Sequence, residues 1–118
     1  MTSLNRVILT GKVVTPPRRY YRPDGSPVIQ FPLELNDSEN LSGQGGRNRI
    51  NIVAVGKLAE FKLDLLQSGQ HLMVIGKLNQ RQWQTPEGKN RIRTEVIATD
   101  LRTIEEKNPT QTSKKQGE

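Results

Sequence analysis

Apolar and polar side chains alternate most sharply between Gly76 and Ile97, GKLNQRQWQTPEGKNRIRTEVI, and the rest of the chain can be ordered around that stretch. Thr85-Pro86-Glu87-Gly88 interrupts it with turn chemistry, the proline presetting one φ angle and the glycine accepting a positive one. The stretch therefore predicts a long β-hairpin. Its register follows from parity. Leu78, Ile92 and Val96 hold even positions, and a one-residue slip would turn every side chain to the other face, so even residues lie opposite even residues. Asn79, Arg81, Trp83, Lys89, Arg91 and Arg93 then share the opposite face.

The same reading orders the flanks. Leu4–Val14 is β-branched and ends at Pro16-Pro17, a first strand in which Gly11 predicts a bulge or a sharp corner. Thr15–Pro27 reads as a basic, proline-punctuated turn holding Arg18, Arg19, Tyr20, Tyr21 and Arg22. Val28–Leu35 alternates with Ile29, Phe31, Leu33 and Leu35 on one face, and Pro32 there predicts an edge or a bulge. Asn36–Asn48 is polar and glycine-rich, a loop. Ile50–Val55 is a third strand. Lys57–Leu66 changes to helical period, with Leu58, Phe61, Leu65 and Leu66 on one face, and Ser68-Gly69 stops it. Leu72 begins a fourth strand that runs into the hairpin, the return arm is the fifth, and Leu101–Ile104 closes the domain.

Three strands, a short helix and two strands predict an all-β, five-stranded OB-fold Greek-key barrel, with the helix between strands three and four plugging one end. Residues 1–104 form this domain. Residues 105–118, EEKNPTQTSKKQGE, show no apolar pattern and predict a disordered tail.

Composition sharpens the picture. The chain has 118 residues and a hydrophobic content of 32%, which fits one domain with a modest aliphatic core. Net charge is +6, and the tail contributes none of it, because its three acids balance its three bases. A folded part that is this basic favours an anionic partner. No cysteine is present, so neither a disulfide framework nor a thiolate zinc site is available. No apolar run has membrane-spanning length and the N-terminus lacks a signal-peptide core, so a cytoplasmic, bacterial, nucleoid-associated protein without membrane contacts is expected.

Catalytic constellations are lacking. His71 is the single histidine and has no partner at metal spacing, so a structural or surface role suits it. Glu60 and Asp64, four apart on the helix, suit a solvated face. Gly43-Gln44-Gly45-Gly46 lacks the Lys-Ser/Thr ending of a phosphate loop. A binding protein is expected, with no enzyme activity and no cofactor.

The hairpin supplies the candidate site. Like charges across a ladder destabilise it, so four cations around an indole serve either a polyanion with flat bases or a solvated ribbon whose Arg stems shield Trp83. In the first reading Arg and Lys meet phosphates and a base stacks on Trp83.

Four fragments in order resemble bacterial single-stranded DNA-binding proteins and the related primosomal replication protein N. They are Leu4–Leu9 with Gly11; Pro17, Tyr21, Pro23 and Gly25; Gly56–Glu60; and Gly76, Leu78, Arg81, Trp83, Gly88, Arg91, Thr94, Glu95 and Val96. The resemblance spans Leu4 to about Ile104. It implies an OB-fold homo-oligomer, dimer or tetramer, that coats single-stranded DNA in replication, replication restart, recombination or repair, with replication or primosome proteins as partners. Arg81, Trp83, Lys89, Arg91 and Arg93 would form the core of the nucleic-acid site, with Arg49, Arg18, Arg19, Tyr21, Arg22 and Lys57 around it.

Departures stand beside it. Arg49 and Val55 occupy positions where the family carries aromatics, Tyr20 replaces its usual arginine, and the chain ends without an acidic tip. Ser26–Phe31 resembles the second strand of the primosomal protein, whereas the hairpin is closer to the single-stranded DNA-binding proteins. Two rival functions follow, a primosome adaptor working through protein contacts and a single-stranded RNA-binding module.

Overall fold

A computed structural model of the chain describes residues 3–35 and 48–104. The loop predicted over Asn36–Asn48, but for Asn48, and the disordered tail predicted over 105–118 lie outside the described residues. Six strands form one closed sheet: β1 (Val7–Val13), β2 (Arg18–Tyr21), β3 (Pro27–Leu35), β4 (Arg49–Val55), β5 (His71–Gln84) and β6 (Asn90–Thr103). Helix α1 (Lys57–Lys62) and a 3₁₀ turn (Leu63–Leu65) lie between β4 and β5. The strands run β1-β5-β6-β4-β3-β2, and β1 also pairs with β3, which closes the barrel. Five strands make the predicted barrel and β2 is a short addition at its edge.

Two narrow seams close the ring. β1 meets β3 over Gly11–Val13, and β4 meets β6 in parallel over Asn51–Val53 against Glu95–Ile97. β1 belongs to both halves, because Gly11 pairs with Leu72 of β5 and Leu35 of β3. At that corner the chains touch, and a Cβ on Gly11 would stand 2.5 Å from the Glu34 carbonyl oxygen. The predicted bend at Gly11 is this corner.

Inside lie Val13, Ile29, Phe31, Leu33, Ile52, Ala54, Leu72, Val74, Val96 and Leu101, with Ala59 and Leu66 from the helical segment. On β5 the core residues are even-numbered, whereas β6 offers Val96 and Ala98 and then Leu101. A bulge makes the change of phase possible. Ile75 pairs with Asp100 and Gly76 with Ala98, leaving Thr99 over, and its hydroxyl donates to the Ile75 carbonyl at 3.1 Å. One strand thereby feeds both the barrel and the hairpin.

Pro32 sits where β3 hands over from β2, paired as far as Gln30, to β1, paired from Leu33. Phe31 and Pro32 have no strand partner on that side, so a residue without an N–H fits this local edge.

Three expectations need correction. Arg18–Tyr21 is a strand and not part of a turn, because the flank of β3 offers an open ladder over Pro27–Gln30. Leu101–Ile104 is not a separate closing element, since β6 continues through the bulge to Thr103. The α-helix is also shorter than Lys57–Leu66, ending at Lys62 before a 3₁₀ turn, and its buried face follows Ala59 and not Phe61. Leu58, Ala59, Leu63 and Leu66 pack inward, and Phe61 is 70% exposed.

Candidate nucleic-acid interface

Beyond the barrel, β5 and β6 continue as a two-stranded ribbon. Residues 77–84 of β5 are exposed, a projection of about 26 Å at strand rise. Its tip is a turn in which the Gly88 N–H donates to the Thr85 carbonyl at 2.8 Å and the Thr85 N–H to that of Lys89 at 2.8 Å. Gly88 has φ 87°, the left-handed conformation that glycine accepts without strain. At the base, Asn5 acts as one more strand rung. Its side-chain amide donates to the Leu78 carbonyl at 2.9 Å, and its oxygen accepts the Leu78 N–H at 2.8 Å.

The register is even opposite even, as predicted: Leu78 faces Val96, Gln80 faces Thr94 and Gln82 faces Ile92. On the other face Arg81 stands across from Arg93 and Trp83 across from Arg91, with Lys89 beside the turn. Trp83 is 47% exposed. Among the described residues, no carboxylate lies within ion-pair distance of Lys89, Arg91 or Arg93.

This face runs on into the barrel wall. Cross-strand partners share a side of the sheet, and Asn51 pairs with Glu95, Pro32 with Asn51 and Glu34 with Arg49. Arg49 therefore stands on the same outward side as the hairpin cations, its Nε 3.6 Å from Glu34. Arg18, paired with Gln30, joins them from β2. Arg19 and Tyr21 do not. They pair with Ile29 and Pro27 on the other side of β2, where the Arg19 guanidinium lies 5.5 Å from the Tyr21 ring centre and donates to its hydroxyl at 2.7 Å. Arg22 follows β2 in a turn closed by Asp24, whose carboxyl the Ser26 hydroxyl and N–H hold below its ordinary value. Lys57 opens α1 at the barrel end, exposed.

Two residues were absent from the sequence-derived site. Glu95 lies on the cationic face by the same parity, yet it is only 3% exposed. It faces Arg81 Nε at 3.4 Å and accepts from the Asn79 amide at 3.1 Å. Its Oε1 and the Asn51 Nδ2, in register across the β4–β6 seam, are the buried side-chain atoms without a hydrogen bond among the described residues. Odd numbering signalled Glu95; nothing in the sequence signalled its burial. Tyr20 is the other, paired with Val28 on the outward side.

No group of three His, Asp or Glu side chains is placed to hold a metal among the described residues. No described helix is long and apolar enough to cross a membrane. The face thus sets an exposed, base-sized ring beside four cations, of which Arg81 is paired with Glu95.

Fold and face together define an OB-fold binding protein. A model of the single-strand binding protein family matches residues 4–104, and the chain belongs to that family. The family consists of binding proteins and not enzymes. The single-stranded DNA-binding protein of Thermotoga maritima is 31% identical over 110 residues, covering 91% of this chain and 78% of the relative. That of Caldanaerobacter subterraneus is 36% identical over 105 residues, covering 88% and 70%. Among solved structures, a Plasmodium falciparum SSB complex with ssDNA superposes with a TM-score of 0.75 at 24% identity, covering 89% of this chain and 98% of that one, a likeness of fold. A deletion mutant of the single-stranded DNA binding protein from Thermus aquaticus gives 0.69 at 30% identity, over 86% of this chain and 51% of that one.

Proposed function

We propose that residues 1–104 act as one domain that binds single-stranded DNA with little regard to sequence. Bases stack on Trp83, and Arg81, Lys89, Arg91 and Arg93 meet phosphates. Arg49 and Arg18 extend the contact across the sheet, and Arg19, Tyr21, Arg22 and Lys57 lie at its margins. One observation carries this reading: Arg81 opposite Arg93 and Trp83 opposite Arg91, on a ribbon that like charges destabilise and a polyanion would neutralise. The names of the Thermotoga and Caldanaerobacter relatives agree with it. Binding proceeds by stacking and counterion release, without covalent chemistry.

In the cell this activity belongs to bacterial replication, replication restart, recombination or repair, in the cytoplasm. It is exerted by a homo-oligomer, dimer or tetramer, in contact with replication or primosome proteins. The family match favours coating of DNA over a specifically primosomal role, because the relatives carry the single-stranded DNA-binding name.

Trp83 is the sole tryptophan, so its fluorescence reads the site directly. Titration with oligo(dT) should quench it strongly, duplex DNA should not, and the affinity should fall with salt by ~0.7 log units per log salt for each phosphate met. Absence of both quenching and binding at low salt would overturn DNA coating and leave the adaptor role. A preference for oligo(U) over oligo(dT) would assign the face to RNA.

A further inference from the structure

β2 holds two adjacent tyrosines, and the register treats them differently. Arg19 and Tyr21 pair with Ile29 and Pro27, on the side of β3 that Ile29 turns into the core. Arg18 and Tyr20 pair with Gln30 and Val28, on the outward side that continues through Val53 to the wall bearing Arg49. Tyr21 already has a cation over its ring and a guanidinium on its hydroxyl. Tyr20 is 40% exposed, carries no such cation among the described residues, and is anchored at its far end by a hydrogen bond from its hydroxyl to Gln30 Oε1 at 3.3 Å.

The surroundings of Tyr20 suit a flat apolar ligand. Val28 and Val53 are buried, yet neither belongs to the core cluster, because both lie on the outward side of the sheet. The row Tyr20, Val28, Val55 crosses three strands without a charge, and Arg18 stands one rung away. A stacking ring, an aliphatic floor and a neighbouring guanidinium are the parts a nucleotide needs: a platform for the base and a cation for its phosphate.

We propose that this corner is a second nucleotide station with Tyr20 as its platform, at the opposite end of the face from Trp83. The proposal rests on the reading of that face as a single-strand surface. On a flattened sheet the two rings stand about 33 Å apart, from four strand spacings and eight residues of rise. A bound strand runs diagonally across the wall between them, over the Asn51–Glu95 seam.

The test uses the whole chain and two lengths of oligo(dT), four and sixteen nucleotides, about the ends of the range of OB site sizes. Tyr20→Ala should weaken the sixteen-nucleotide complex by about 5- to 100-fold and leave Trp83 quenching by the four-nucleotide strand unchanged. Tyr20→Phe should stay within about twofold of the unaltered protein, since it keeps the ring. Photocrosslinking of the unaltered protein to an iodouracil-substituted strand should mark Tyr20. A Tyr20→Ala protein that binds sixteen nucleotides normally, or crosslinks on Tyr21 in place of Tyr20, would overturn the station while leaving Trp83 in the site. Failure of the unaltered protein to bind either length would overturn both.

Discussion

At the scale of single residues, the least expected is Glu95, an acid buried in the cationic face. Its contact with Arg81 at 3.4 Å supplies the counter-charge that Arg93, directly across the ribbon, denies. A phosphate that recruits Arg81 must compete with that carboxylate. Glu95→Gln should therefore tighten binding at low salt, and Arg81→Gln should flatten the salt dependence by about one phosphate, ~0.7 log units per log salt. An unchanged slope would mean that Arg81 does not meet a phosphate. Asp24 offers a second test. Two donors from Ser26, its hydroxyl at 2.7 Å and its N–H at 2.9 Å, favour the ionised form. Ser26→Ala removes the hydroxyl, so the Asp24 pKa should rise towards its ordinary 3.8 in an NMR titration. Because the native pKa is depressed, the turn gains stability above the unfolded pKa and loses it as pH falls through the native one. Parity made Arg81, Trp83, Arg91 and Arg93 legible as one face. It could not reveal that Tyr20 and Tyr21 divide between two sides, since that depends on which strand β2 joins.

Among elements, the hairpin was the most legible, for a local reason. Its turn residues and its alternation agree, so no distant contact was needed to fix the register. The Gly88 position bears this out, with φ 87° at the point where the ribbon reverses. Gly88→Ala should strain the tip by about 1–2 kcal/mol, seen as faster amide exchange in the outer rungs and weaker quenching of Trp83 by DNA, while the barrel melts as before. β2 was illegible because all four of its residues are exposed and none alternates with a core. It is a strand only because the flank of β3 is open. The helix was legible in place but not in phase. The buried face runs through Ala59, Leu63 and Leu66, spaced i, i+4 and i+7, and an alanine is too weak an apolar mark to set that phase against Phe61. Thr99 gave no warning of a bulge, since threonine is an ordinary strand residue.

For the whole molecule, the barrel class was readable from the succession of periods, and β2 and the closure were not, because they depend on which strands meet in the fold. Gly11 is the exception, a sequence-visible mark of the corner where β1 passes from one half to the other. Gly11→Ala would place a methyl 2.5 Å from the Glu34 carbonyl oxygen and 2.8 Å from Leu33 Cγ. It should lower stability by about 1–3 kcal/mol or more, read as a lower Tm with loss of cooperativity at the β1–β3 seam. The other seam carries a consequence for kinetics. The β5–β6 ribbon is local and forms within about 1–10 μs, whereas Asn51–Val53 must find Glu95–Ile97 across the helix and the whole ribbon, so this latch shuts late. On the proposed path, a strand lying from Trp83 to Arg49 would bridge the latch from outside. Cargo would then serve as a clasp on its own carrier, slowing the opening of the barrel for as long as it stays bound.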